Sequence, residues 1–453
     1  MYHLEMELKN KKVLLMGLGI LGGGVATTRW LVEQGIILTV TDVKNRTELA
    51  VSLEKLANIA GKINFVLGEH REKDFLENDI IILNQDIPFD NKFVEIARKT
   101  GKIIENELTL FYKFSKSKNI IAITGTRGKT TTANWVAHFL KSLNPNTLLI
   151  GNSPDKPLLQ EIKKVEESSL VVLEVPSFNL EIAGGENFKP HIAVITSLYR
   201  DHLNRHKTME NYALTKANIF KGQTQEDYLI IDGEDEWSEF FLKLEPKSKL
   251  IFYDRQDIFS NKEINGFISE WGKHNLKNLF AAAMTAKSAG CSVEIIKNQV
   301  PSLSQIRFRQ EKIFENENIA VYNDTTATSP EASMAAINRF SSAKTIFIAG
   351  GTDRDLDFSK WADFVKSKIS SEDLILLSGS ATEKMKKALD WSNMKEFDTL
   401  EECFQKALSL VDNKRKVNIV FSPGAKSFEK FKNEFDRGEQ FNLLIKKYLN
   451  KNG

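Results

Sequence analysis

The sequence has almost no cysteine, no long apolar run and no surplus of charge of either sign. Cys291 and Cys403 are its only cysteines. They lie far apart, each alone in an apolar-rich helical pattern, which argues against a disulfide framework and a cysteine-built zinc site. No uninterrupted apolar stretch reaches the ~18 residues that a membrane span requires, and the opening MYHLEMELKNKK has no signal-peptide core. A cytoplasmic protein with no membrane partner is expected. Lys and Arg number 62 against 60 Asp and Glu, a formal net charge of +2, so bulk charge gives no drive toward nucleic acid. No short fixed period marks a solenoid either.

What is present is one rhythm, carried through 453 residues, a length that corresponds to about three domains. Short β-branched runs alternate with longer helical patterns: KVLLMG, IILTVTD, DIIILN, NIIAITG, LVVLEV, HIAVITS, YLIIDG, TIFIAGG, DLILLSG and VNIVFS. Near-continuous apolar strands are buried on both faces, which predicts α/β domains with parallel sheets covered by helices. Two polar stretches interrupt the rhythm, YKFSKSKN (112–119) and SLSQIRFRQEK (302–312). They place the domains at 1–115, 116–306 and 307–453.

Two glycine loops carry the first chemical signal. In VLLMGLGILGGG, Gly17, Gly19 and Gly22 follow a strand in the spacing G-x-G-x-x-G, and Asp42 ends the next strand. Such glycines allow a tight turn and close backbone approach, the helix start offers N–H groups to a diphosphate, and the acid suits a ribose or base. NAD, or any diphosphate-linked nucleotide including UDP, satisfies the same physics, and so does tight strand-to-helix packing with no ligand at all. The second loop, in NIIAITGTRGKTTT, is sharper. It is shorter than the usual Walker pattern, but Gly125, Thr126, Arg127 and Gly128 can wrap phosphate oxygens, Lys129 can neutralise them, and the Thr130 hydroxyl can ligate Mg²⁺.

Three later segments add candidates. LVVLEVPSFNLE puts Glu174 at the C-terminal end of a buried strand, where parallel sheets meet their ligands. An acid inside an apolar run is costly without a partner, so Glu174 is a candidate Mg²⁺ ligand. HIAVITSLYRDHLNRH ends a strand with Asp201 and His202, and YALTKANIF carries Lys216 on a helix. Taken singly, the histidine reads as structural and the lysine as solvated.

The ordered combination of GTRGKTTT, LEVPSFNLE, RDHLNRH, LTKANIF, GKHNLKNLFAA, RQE, NDTTATSPEA, GGTDRDLDF and SPGAKSFEKFKNEFDRG resembles the Mur ligases, and within them the members that add glutamate to UDP-N-acetylmuramoyl-L-alanine. The resemblance runs over nearly the whole chain. It implies a Rossmann-like UDP-binding domain, a central P-loop ATPase domain with a mostly parallel sheet, and a Rossmann-like glutamate-binding domain. It implies a monomer working with ATP and two Mg²⁺ ions. ATP contacts then fall on Gly125 to Gly128, Lys129, Thr130, Thr131, Asn278, Arg309 and Asp324. One Mg²⁺ falls on Thr130 and Glu174, the other on His202 and a carbamylated Lys216, and catalysis on Lys129, His202 and Lys216. The UDP-substrate contacts fall on Gly19, Ile20, Leu21, Asp42, Lys44 and Asn152, and the glutamate contacts on Thr328, Arg354, Ser427 and Phe428.

The implied reaction turns the L-alanyl carboxylate into an acyl phosphate, which the glutamate amine attacks to give an amide. Several positions depart from the family pattern. Thr326 and Arg354 stand where lysines are usual, Pro176 and Asn179 replace a serine and a glutamine, Leu21 stands where a threonine is frequent, and NQDIP (84–88) replaces a Ser-Pro-Gly turn. Because Thr326 and Arg354 fall in the acceptor region, the D isomer of glutamate is expected and the L isomer is the alternative. A folylpolyglutamate-type ligase is the nearest other enzyme. An NAD-dependent dehydrogenase would leave Lys129, Glu174 and His202 without work.

Overall fold

The computed structural model describes residues 11–151, 157–253, 258–412 and 415–449. Three sheets follow one another along the chain. The first is built from β1 (Lys12–Met16), β2 (Ile37–Asp42), β3 (Ile63–Leu67), β4 (Ile80–Leu83) and β5 (Ile103–Asn106), in the order β3-β2-β1-β4-β5. The second holds β6 (Ile120–Thr124), β7 (Thr147–Ile150), β8 (Leu170–Glu174), β9 (Ile192–Ile195), β10 (Tyr228–Ile231) and β11 (Lys249–Phe252), in the order β11-β10-β9-β6-β8-β7. Every pairing in these two sheets is parallel.

The third sheet contains β12 (Glu311–Glu315), β13 (Ile319–Asn323), β14 (Thr345–Gly350), β15 (Leu374–Leu377), β16 (Lys395–Phe397) and β17 (Val417–Phe421), in the order β12-β13-β17-β14-β15-β16. Only β12 runs antiparallel, against β13, and the other pairings are parallel. The expected three-domain α/β architecture is therefore present, with one antiparallel edge strand on the third sheet.

Apolar periodicity explains why these segments are strands with helices on both faces. In β15, Leu374 and Leu376 join one core cluster while Ile375 and Leu377 join the opposite one. All four side chains of β4 are buried. Each such burial is worth about 1.5–3 kcal/mol, whereas a solvent-screened ion pair such as Lys99–Glu95 adds little, so burial rather than surface charge fixes the sheets.

By contacts the chain divides into two compact units, Met1–Glu270 with Asn275–Leu303, and Trp271–His274 with Ser304–Gly453. In the first unit one apolar cluster runs from Val13 through Trp30, Phe111 and Leu159 to Val171 and Leu229, joining the first two sheets. The second unit has its own cores on the two faces of the third sheet, around Trp361 and around Phe404.

In each sheet the strand order reverses around a central strand, and a crevice opens at the C-terminal ends there. Gly17–Gly22 and Asn84 follow the adjacent strands β1 and β4. The loops after β6 and β9 carry Gly125–Gly128 and the segment Thr196–His202, and Glu174 ends β8 in the same region. The loops after β13, β14 and β17 carry Asp324–Thr328, Gly351–Arg354 and Ser422–Phe428.

Candidate active site

The phosphate-loop region forms because backbone geometry allows nothing bulkier. Gly128 is left-handed, with φ 83°, and starts the helix Lys129–Lys141. A Cβ there would sit 2.3 Å from Asn278 Oδ1, and one on Gly125, at φ +147°, would sit 2.1 Å from Thr196 Oγ1. The loop between them is fastened to the β9 loop. Thr126 N donates to Ser197 O at 2.8 Å, Arg127 N to Ser197 Oγ at 3.1 Å, and Thr196 Oγ1 to Arg127 O at 2.5 Å.

Around this loop the first unit gathers several of the groups expected to handle ATP and Mg²⁺. Lys129 Nζ donates to the carbonyls of Gly125 at 2.9 Å and Thr126 at 3.1 Å. Thr130 Oγ1 lies 3.0 Å from Glu174 Oε1, and Thr131 is buried beside it on the same helix. Lys216 lies on the helix Met209–Ala217, 1% exposed, and its Nζ reaches the same Gly125 carbonyl at 2.9 Å. Burial, with the nearby Lys129 cation, lowers the Lys216 pKa well below that of an ordinary lysine, and Asp201 opposes the shift only in part. The solvated-lysine reading is thereby excluded.

His202 takes the left-handed conformation, φ 53°, and caps the one-turn helix Leu203–His206. Its N–H donates to Asp201 Oδ1 at 2.9 Å, and its ring packs edge-on against Phe178. Among the described residues no three His, Cys, Asp or Glu side chains converge on one point. The Thr130–Glu174 pair nevertheless suits Mg²⁺, which keeps several waters and takes one or two protein oxygens together with substrate phosphates.

At the first glycine loop, Gly22 is left-handed, φ 104°, at the start of the helix Gly23–Glu33. Asp42 is buried, and each of its oxygens accepts a backbone N–H, from Gly19 and from Lys44, at 2.9 Å. The acid therefore shapes the loop. Ile20 and Leu21 stand 55% and 49% exposed at its tip, apolar surface open to a ligand. Asn152 lies outside the described residues.

In the second unit, Asp324 is fully buried, accepting from Ser422 Oγ at 2.7 Å and Gln310 N at 3.1 Å. Desolvation pushes its pKa up to about 7, opposed by those hydrogen bonds and by the charges of Arg309 and Arg339. Thr328, Arg354, Ser427 and Phe428 all fall on the loops after β13, β14 and β17. Arg354 stacks on the Phe428 ring at 4.8 Å. Ser427 is 2% exposed, and its Oγ has no hydrogen-bond partner among the described residues, which marks it as a group awaiting an acceptor or donor.

Comparison with known proteins decides the assignment. Residues 11–105 match the family described as Mur ligase MurD-like, N-terminal domain, and residues 123–265 match the Mur ligase middle domain. The protein named UDP-N-acetylmuramoylalanine--D-glutamate ligase of Roseiflexus sp. is 32% identical across 98% of this chain and 100% of its own length. Its namesake in Borreliella burgdorferi is 33% identical across 97% and 98%. The chain belongs to the Mur ligase family.

Among solved structures, MurF from Acinetobacter baumannii covers 99% of this Mur ligase and 98% of itself, with TM-score 0.60 at 14% identity. Escherichia coli FolC in complex with ADP covers 70% of this chain and 90% of its own, with TM-score 0.53 at 16% identity. At those identities the likeness is one of fold.

Sequence reasoning missed several groups that lie beside the candidate residues within each unit. Tyr212 lies within 3.3 Å of Thr126 Oγ1, and its ring lies under the Lys216 ammonium at 4.5 Å. Arg437, fully buried, donates to Thr325 O and to the carbonyls of Ala425 and Lys426, pinning the two loops that hold Thr328 and Ser427. Lys426 Nζ lies 3.2 Å from Thr328 Oγ1. The signals in the sequence were the YALTKANIF, GAKS and FDRG segments, which hold Tyr212, Lys426 and Arg437 but do not show their partners, since these are set by tertiary structure. Thr326, by contrast, is turned to the Phe308 carbonyl at 2.8 Å.

Proposed function

We propose that this Mur ligase joins glutamate, the D isomer preferred, to UDP-N-acetylmuramoyl-L-alanine with cleavage of ATP, in the cytoplasmic synthesis of peptidoglycan precursors. The observation that carries the reading is the convergence of Lys129, Thr130, Glu174 and Lys216 on one glycine loop in a chain whose full-length relatives bear that ligase name. We assign the donor to 1–115, ATP to 116–306 and glutamate to 307–453. The enzyme acts as a monomer, without nucleic acid or membrane.

In this account the backbone of Gly125–Gly128 and the Lys129 ammonium hold the ATP phosphates and offset their charge as the donor carboxylate attacks the γ-phosphorus in line. The O–P bond to ADP breaks and an acyl phosphate forms. Asn278, Arg309 and Asp324 hold the rest of the nucleotide. Ile20, Leu21 and the loop braced by Asp42 and Lys44 hold the UDP end of the donor, with Asn152 beside its acyl part. Two Mg²⁺ ions, one held by Thr130 and Glu174 and the other by His202 and Lys216, would supply positive charge to phosphate and carboxylate oxygens. Lys216 suits carbamylation because burial lowers its pKa and so favours the neutral amine over the ammonium. The amine nitrogen bonds to CO₂ carbon, a proton leaves, and the resulting carbamate is an anion that would suit a metal.

The glutamate amine then attacks the acyl carbon, phosphate leaves and the amine proton is lost. Glutamate presents two carboxylates, and Arg354, Thr328, Ser427 and Phe428 provide the matching cation, hydroxyls and apolar surface. Lys426, beside Thr328, restores a positive charge to the region where Thr326 brings none. The test is phosphate release from ATP with UDP-N-acetylmuramoyl-L-alanine and each glutamate isomer in turn. Release that needs the donor and either isomer supports the ligase reading. Release with neither isomer overturns it, and NAD binding at the first glycine loop without UDP binding would reverse the donor assignment.

A further inference from the structure

The segment NQDIP, at 84–88, stands in the loop after β4 and is tied on one side to the first glycine loop. Asn84 N donates to Met16 O at 3.0 Å, and Asn84 Nδ2 donates to Gly17 O at 2.9 Å. A Cβ on Gly17 would come within 3.1 Å of Asn84 Cβ. This segment is thus one wall of the crevice at the reversal of the first sheet.

On its other side the same segment is held by the second sheet. Arg205 Nη1 donates to Gln85 O at 2.7 Å and Nη2 to Ile87 O at 2.9 Å. The same guanidinium grips Glu181 at two points, Nε to Oε1 at 2.6 Å and Nη2 to Oε2 at 2.8 Å. Glu181 Oε2 in turn accepts from Phe89 N at 3.2 Å. The Arg205 plane lies over the Phe178 ring at 4.5 Å. The two charged side chains are only 11% and 13% exposed.

Both ends of this bridge lie on the segments that run from the ends of β8 and β9 and carry the residues assigned to the metals. Arg205 lies in the one-turn helix that begins at His202, and its N–H donates to His202 O at 3.0 Å. Glu181 ends the short helix Ser177–Leu180 that follows Glu174 and β8. An ion pair serving stability alone would not need to place two further N–H groups on backbone carbonyls from another sheet. An arginine that does so fixes three loops as one body, and its rigid fork is what a lysine cannot reproduce.

We infer that Arg205, bridged to Glu181, is a positioning residue that couples the donor crevice at Gly17–Gly22 to the metal-bearing turns at Glu174 and His202. The inference rests on the placement of donor and metals given above. Its consequence is thermodynamic: ordering of the 84–89 segment by the donor favours the His202 turn that receives the metal-nucleotide, and the reverse holds by the same factor.

The test is calorimetric titration of the full chain with UDP-N-acetylmuramoyl-L-alanine, with and without saturating Mg²⁺ and a non-hydrolysable ATP analogue. In the wild type, each ligand tightens the other by the same factor, at least about five-fold. Arg205→Lys, which keeps the charge and loses the fork, brings that factor below about two-fold while leaving each separate affinity nearly unchanged. Glu181→Gln does the same and carries the test should the arginine variant fail to fold. Wild-type sites that bind independently overturn the inference and leave the ligase reading standing, as do variants with undiminished coupling. Variants that merely lose stability, with the coupling factor intact, show a structural ion pair and also overturn it. A wild type that binds no donor at all overturns the donor assignment together with the inference.

Discussion

At the scale of single residues, the phosphate loop makes the sharpest demand. Lys129 is the cation that lines the Gly125–Thr126 carbonyls, so Lys129→Ala should abolish ATP-dependent amide formation while donor binding, measured by calorimetry, stays within about three-fold of wild type, since the donor groups lie on another sheet. Unchanged turnover would contradict the assignment. Lys216→Ala should also be nearly inactive, with partial recovery in a short carboxylic acid that can stand in for the carbamate. In the acceptor region, the Lys426 ammonium beside Thr328 and the Arg354 guanidinium over Phe428 are the charged groups at hand. Lys426→Met and Arg354→Ala should each raise the KM for glutamate about ten-fold or more and leave the KM for ATP alone, because a charge-assisted hydrogen bond is worth about 1.5–3 kcal/mol. A rise confined to the ATP KM would contradict that. These residues show what was legible. Lys129, Thr130 and Glu174 could be read because backbone and side chain act locally, at a loop or a strand end. Arg205, Arg437 and Lys426 could not, because their partners lie on other loops that only the fold brings close.

At the scale of elements, ten apolar runs stood out in the sequence, and each is a strand. Seven further strands were not singled out. Six of them, β3, β5, β7, β11, β12 and β16, are the edges of the three sheets. An edge strand meets solvent along one side, so its apolar signal is diluted, as in β12 EKIFE and β16 KEF, where no side chain is fully buried. The glycine fingerprint was read at Gly17, Gly19 and Gly22, yet the closest packing is at Gly24, where a Cβ would lie 2.1 Å from Leu18 O. Gly24→Ala should therefore lower the melting temperature and weaken donor binding, and a variant of wild-type stability would contradict this packing.

A second element-level prediction concerns the helix Glu107–Phe114, whose first residue accepts from Leu159 N at 3.2 Å. Burial raises the Glu107 pKa from 4.5 to about 7, against the opposing pull of the Leu159 and Leu158 N–H groups. Between those values the folded state holds a proton that the unfolded state has released. Stability contributed by this group is thus present below the unfolded value and declines as pH rises toward 7, by about 1.4 kcal/mol per pH unit at most. Denaturation midpoints of Glu107→Gln should show a flatter decline from pH 4.5 to 7 than wild type. An unchanged slope would contradict the assignment.

At the scale of the whole molecule, three sheets with their reversal crevices each present one set of candidate groups. The first carries the glycine loop braced by Asp42, the second the lysines and the Thr130–Glu174 pair, and the third the loops pinned by Arg437. The resemblance to the family came from the order of motifs along the chain, which no single motif supplied, and the family matches and full-length relatives show the membership. The acceptor was harder to read, since Thr326 turns away to a carbonyl and the compensating Lys426 comes from a loop about a hundred residues later. The central claim is that the three sets serve one reaction. Its most direct test is the release of phosphate from ATP by the full chain with Mg²⁺, UDP-N-acetylmuramoyl-L-alanine and D-glutamate or L-glutamate, with the amide product followed by mass. The account predicts stoichiometric phosphate and amide that require all three substrates, faster with the D isomer. Phosphate released without donor or glutamate, or no amide with either isomer, would contradict it.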